Sequence, residues 1–106
     1  MSIALMLDCL SRTMASTSVI LPHARWFGFG SFFLGTQHFS DLDLLVVCAD
    51  QREAALIHQA CYELWSEWPV HLMILSEAEE SSTSFISKCN CVPLPEGMPS
   101  WRQVEA

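Results

Sequence analysis

Over residues 2–15 the apolar positions Ile3, Leu7, Leu10 and Met14 recur at spacings of three and four, which predicts a helix. Ser16 to Pro22, with its Thr-Ser-rich start, reads as a connector. Ala24 to Phe29 is a short aromatic-rich strand that Gly30 ends, where the backbone must turn sharply. Ser31 to Leu34 reads as a helical turn, and Gly35 to Ser40 as a polar loop. Asp41 to Cys48 is the clearest strand. Beyond Asp43 it is apolar at every position, so it is buried on both faces and belongs in the middle of a layered α/β domain. Asp50 and Glu53 predict a capping box for a helix with the buried stripe Ala54, Ile57, Cys61, Leu64, Trp65 and Trp68, which Pro69 stops. Val70 to Leu75 is a third strand. Ser76 and Glu79 predict a second capping box, opening a helix through about Lys88. The tail, with Pro93, Pro95, Gly97 and Pro99, reads as mostly irregular.

A chain of 106 residues fits one domain: an N-terminal helix and connector over 1–22, a core over 24–94 and an irregular tail over 95–106. Half of its residues are apolar, enough for a real core. The formal charge is −7, and the five cations Arg12, Arg25, Arg52, Lys88 and Arg102 form no patch in sequence, which disfavours a nucleic-acid partner. Residues 3–7 are apolar without a basic segment before them, and no stretch reads as long enough to span a membrane. An odd number of cysteines (Cys9, Cys48, Cys61, Cys89, Cys91) suits a reduced, cytoplasmic protein. Cys89-Asn90-Cys91 lacks the spacing of a zinc knuckle or a thioredoxin-like motif.

The chemistry-bearing stretch is Trp26 to Cys48. Gly30-Ser31 closes one apolar run, and Asp41-Leu42-Asp43 opens the next. In an extended strand, side chains at i and i+2 share a face, so Asp41 and Asp43 are expected to project together with Cβ atoms roughly 6–7 Å apart. Two carboxylates at that distance repel by roughly 2–3 kcal/mol at an effective dielectric near 20. Water or a cation must offset this, and a divalent metal that also grips phosphate is the obvious cation. Gly30 would let the backbone approach a phosphate, Ser31 would donate a hydrogen bond to it, and Asp41 with Asp43 would hold Mg²⁺.

Gly-Ser, a nine-residue gap and Asp-x-Asp within SDLDLLVV resemble the nucleotidyltransferase family related to DNA polymerase β, in its minimal bacterial branch. VHLMILSEAEE and FISKCNCVPL extend the likeness to about Leu94. The resemblance implies a nucleotidyltransferase-like α/β (α+β) fold, a small mixed sheet of three to four strands with flanking helices. It implies transfer of a nucleoside monophosphate from a nucleoside triphosphate to an acceptor hydroxyl with Mg²⁺, or Mn²⁺ in its place. Asp41 and Asp43 would be the catalytic metal ligands, and Gly30 and Ser31 would bind phosphate. It further implies a protein partner or acceptor, such as a small helical toxin-like protein for which the chain is the antitoxin. A homo-oligomer stays open.

Two positions depart from the family. Its third carboxylate, on the next strand, is replaced by His71, which can act as a general base near neutral pH but is a poorer Mg²⁺ ligand, and which reads equally well as a structural histidine on a strand. The Arg that many relatives carry after Gly-Ser is absent, with Phe32, Phe33 and Leu34 in that loop. A catalytically weak or inactive binding module on the same fold is therefore the alternative, and a plain α/β domain with an incidental Asp-x-Asp is a third reading. Other candidates read as structural: His38 as a solvated loop residue, His58 with Cys61 as too few ligands for zinc, and Glu77, Glu79 and Glu80 as a solvated helix start. Trp65 and Trp68 suit a core or an interaction surface, and an exposed Trp101 would suggest docking onto a partner or a second subunit.

Overall fold

The computed structural model describes residues 2–35 and 41–98. The predicted connector is largely helical. The first helix, α1, runs Ile3–Ile20, five residues past its expected end. The hydroxyls of Thr13, Ser16, Thr17 and Ser18 donate to carbonyls three or four residues back, at 2.6–3.2 Å. These side chains therefore bond within the helix instead of competing with it. At 18 residues α1 is also long and apolar enough to cross a membrane by length and composition, contrary to the expectation that no stretch would be. One of its faces packs into the core through Met6, Leu7, Cys9 and Leu10.

Strand β1 is Arg25–Phe29, and the four-residue helix α2 is Gly30–Phe33. Strand β2, Leu42–Cys48, begins one residue later than predicted, so Asp41 stands just outside it. The single helix expected before Pro69 is two, α3 (Gln51–Ala60) and α4 (Tyr62–Glu67), separated at Cys61. Ile57, Cys61 and Leu64 are buried as the stripe requires, while Ala54, Trp65 and Trp68 are only partly so. Asp50 caps α3 by accepting from Glu53 N, but the Glu53 carboxylate reaches Ala49 N, one residue beyond the box geometry. Strand β3 is Val70–Ser76 and helix α5 is Glu77–Thr83, opened by the full Ser76–Glu79 capping box. The expected helix to Lys88 is interrupted at Ser84, which adopts φ +54°, and resumes as α6, Phe85–Lys88. Val92–Pro93 forms a fourth strand, β4, within the stretch expected to be irregular. Trp101 lies outside the described residues.

The sheet order is β3-β2-β1-β4, with β2 parallel to β3 and antiparallel to β1, and β4 antiparallel to β1. This is the mixed four-stranded α/β architecture that the sequence implies. Strand β2 is central and two-sided. Leu42, Leu44, Val46 and Cys48 meet the residues of α1, α3 and α4. Leu45 and Val47 join Phe27 on the opposite face, with Met73, Leu75, Phe85 and Ile86 packed around them. By the two-residue period of a strand, Asp43 lies on this second, thinner face.

Candidate functional site

Register places three residues side by side at one end of the sheet: Phe29 at the end of β1, Asp43 near the start of β2, and His71 near the start of β3. Gly30 follows at φ +76°, a left-handed turn that glycine adopts without a Cβ penalty. A Cβ at that position would collide with Asp43 Oδ2. The carboxylate is thus fixed from two sides, with Oδ2 against the Gly30 backbone and Oδ1 3.2 Å from His71 Nδ1. The Asp43 side chain is 20% exposed and that of His71 55%, so the pair opens to solvent on the histidine side. Ser31 is half-buried in the first turn of α2. The Phe29 ring lies edge-on to His71 at 6.1 Å and to Phe85 at 5.2 Å, giving the corner an aromatic wall.

The structure therefore brings Gly30, Asp43 and His71 into contact, with Ser31 next in the chain. Asp41 is exposed at the mouth of β2, where Leu42 N donates to Pro69 O and ties the starts of β2 and β3 together. Among the described residues no three His, Cys, Asp or Glu side chains converge as a metal cage. Mg²⁺ does not require one. It is commonly held by one or two carboxylates, with water and substrate phosphates completing its shell. The hard oxygens of Asp43 and Asp41 suit it, and the imidazole between Asp43 and solvent does not.

The remaining candidates have structural partners. Glu77 pairs with Arg25 at 2.7 Å and Glu80 accepts from Ile86 N. Glu79 belongs to its capping box and accepts from Gln51 at 2.9 Å, and its hydrogen bonds with Ser76 hold its carboxyl below the ordinary value. His58 stacks on Trp65, while Cys61 is buried, so the two do not share a surface. Burial pushes the Cys61 thiol up to about 12 and the Cys91 thiol up to about 11. All five cysteines are free. His38 lies outside the described residues. A groove of about 690 Å³, lined by Ser11, Met14, Trp26 and Leu94 among others, lies between α1 and the β1–β4 edge, at the far end of β1 from Gly30.

Phe29 and Phe85 are the parts of the corner that sequence reasoning missed. Phe29 immediately precedes the Gly30 turn, a position that strand parity puts beside Asp43 once the β1–β2 register is known. Phe85 follows the left-handed residue Ser84, a break between α5 and α6 that has no strong local signal. No family model, curated protein or solved structure matches the chain.

Proposed function

We propose that the Gly30–Asp43–His71 corner binds a nucleoside triphosphate with Mg²⁺, or Mn²⁺ in its place, and transfers its nucleoside monophosphate to an acceptor hydroxyl. The observation that supports this reading best is the Asp43 carboxylate seated in the space that a Cβ on Gly30 would fill, which holds a hard oxygen ligand beside the turn that leads into Ser31. The bound metal would neutralise phosphate charge in the transfer. Asp43 and Asp41 would hold it, and Ser31 would donate its hydroxyl to a phosphate oxygen.

His71 takes the proton. With Nδ1–H donating to Asp43 Oδ1, the Nε2 lone pair is left to accept the proton of the acceptor hydroxyl. The acceptor oxygen then bonds to the α-phosphorus, and the bond from that phosphorus to the departing pyrophosphate breaks. The formal charge of −7 would complement a basic partner. A protein acceptor, such as a small helical toxin-like partner to this antitoxin-like chain, suits it, and the free thiols suit the cytoplasm.

One observation favours the second reading, a binding module without turnover: His71 engages the same Asp43 oxygen that a metal would need. A transfer assay with α-labelled nucleoside triphosphate and Mg²⁺ separates the two. The enzyme reading expects labelled acceptor and released pyrophosphate, both lost in Asp41→Ala plus Asp43→Ala. Transfer that survives the double change refutes it.

A further inference from the structure

We infer that β3 is the seam of a homodimer, in which a second copy of the chain pairs antiparallel along its outer edge. The inference is independent of nucleotide chemistry. It starts from the unequal treatment of the two sheet edges. The β4 edge is two residues long and carries Pro93, both devices that stop a strand from recruiting another. The β3 edge has none of them. It is seven residues long, VHLMILS, without proline, lysine or any acid. Its register against β2 runs one-to-one over all seven pairs from Leu42↔Val70 to Cys48↔Ser76, so no bulge twists the edge away. Among the described residues no strand lies beyond it. Leu72, Met73, Ile74 and Leu75 are each partly exposed, whereas every residue of β2 from Leu44 to Cys48 is buried.

The sequence of the edge is complementary to itself. Full-length antiparallel overlap puts the two-fold axis at Met73, which then faces Met73 of the partner subunit. Leu72 meets Ile74 of the partner subunit, and His71 meets Leu75 of the partner subunit. Directly opposed residues share a sheet face, so Val70, Leu72 and Ile74 extend the core beneath α1, α3 and α4, and Met73 and Leu75 extend the opposite core. No like charges meet along the seam, which matters for a chain carrying −7. A second copy is therefore the occupant: an eight-stranded sheet with both apolar layers continuous satisfies the open backbone groups of both edges at once. A seam of one strand pair falls toward the small end of specific interfaces, well short of the roughly 1,600 Å² of a standard one, so the dimer is expected to be reversible and to populate at high protein concentration. It also brings the two His71 side chains within roughly 13 Å along the seam, with each corner walled by the other subunit.

The test is sedimentation equilibrium of wild type, Met73→Lys, Met73→Glu and an equimolar mixture of the two variants. Wild type at high micromolar concentration is expected at twice the 11.9 kDa chain mass. Each variant alone is expected at the chain mass, because like charges face across the axis, and the mixture is expected to recover the doubled mass. Wild type at the chain mass across this range overturns the inference, as does a dimer that both variants leave intact. Should the variants fail to fold, amide exchange on wild type decides. Outward-facing β3 amides are expected to lose at least tenfold protection on dilution, and unchanged protection overturns the seam.

Discussion

Replacing Gly30 with alanine strains the chain in two separable ways. The residue sits at φ +76°, where an L side chain costs about 1–2 kcal/mol. Its new Cβ would also collide with the Asp43 carboxylate, which must move and give up its contact with His71, a further loss of about 1–2 kcal/mol. Gly30→Ala is therefore expected to destabilise the protein by about 2–4 kcal/mol. In an Asp43→Ala background the carboxylate is gone, although the residue 43 Cβ still lies 3.3 Å from the built position. There the same change should cost only about 1–2 kcal/mol, the backbone part. The double-mutant cycle thus carries a coupling of about 1–2 kcal/mol, read from urea unfolding of the four proteins at pH 7 with unchanged slopes. Additivity within about 0.5 kcal/mol would mean that the carboxylate does not rest against the turn, and the geometry of the corner would be wrong.

Three further outcomes follow from the same structure. Burial holds the Cys61 proton to about 12 against an ordinary 9.0, so above pH 9 the unfolded chain releases it first and stability falls as pH rises. Between pH 8 and pH 10 this thiol alone accounts for a loss on the order of 1 kcal/mol, measurable as the difference in alkaline slope between wild type and Cys61→Ala. Ser76→Ala removes one half of the capping box on α5 and should cost about 1 kcal/mol in urea unfolding. If His71 stands in for a carboxylate, His71→Asp should raise the rate of nucleotide transfer and His71→Ala should lower it; turnover unchanged by the alanine variant removes the histidine from the proposed chemistry.

Local signals carried much of the fold. The unbroken apolar run from Leu44 to Cys48 marked a strand buried on both faces, and that strand is the centre of the sheet. Ser76 and Glu79 announced their helix start, and Gly30 its turn. The failures have physical causes. The end of α1 escapes a sequence reading because Ser and Thr are weak helix formers on average, while here their hydroxyls bond back within the helix. The break at Cys61 falls inside a continuous apolar period, so periodicity could not reveal it. Within the site, the glycine and the aspartates were legible from spacing. The contact between Asp43 and His71 depends on parallel register between strands 28 residues apart, and the wall made by Phe29 and Phe85 depends on tertiary packing.

The proposed metal-dependent site for a polyphosphate rests on Asp43, seated against Gly30. Calorimetric titration of a non-hydrolysable nucleoside triphosphate into the protein, with Mg²⁺ and then with chelator, addresses it directly. Saturable binding is expected with Mg²⁺, none with chelator, and none in Asp43→Ala. Binding that persists without the metal or without the Asp43 carboxylate, or no binding at millimolar triphosphate with Mg²⁺ present, would contradict it.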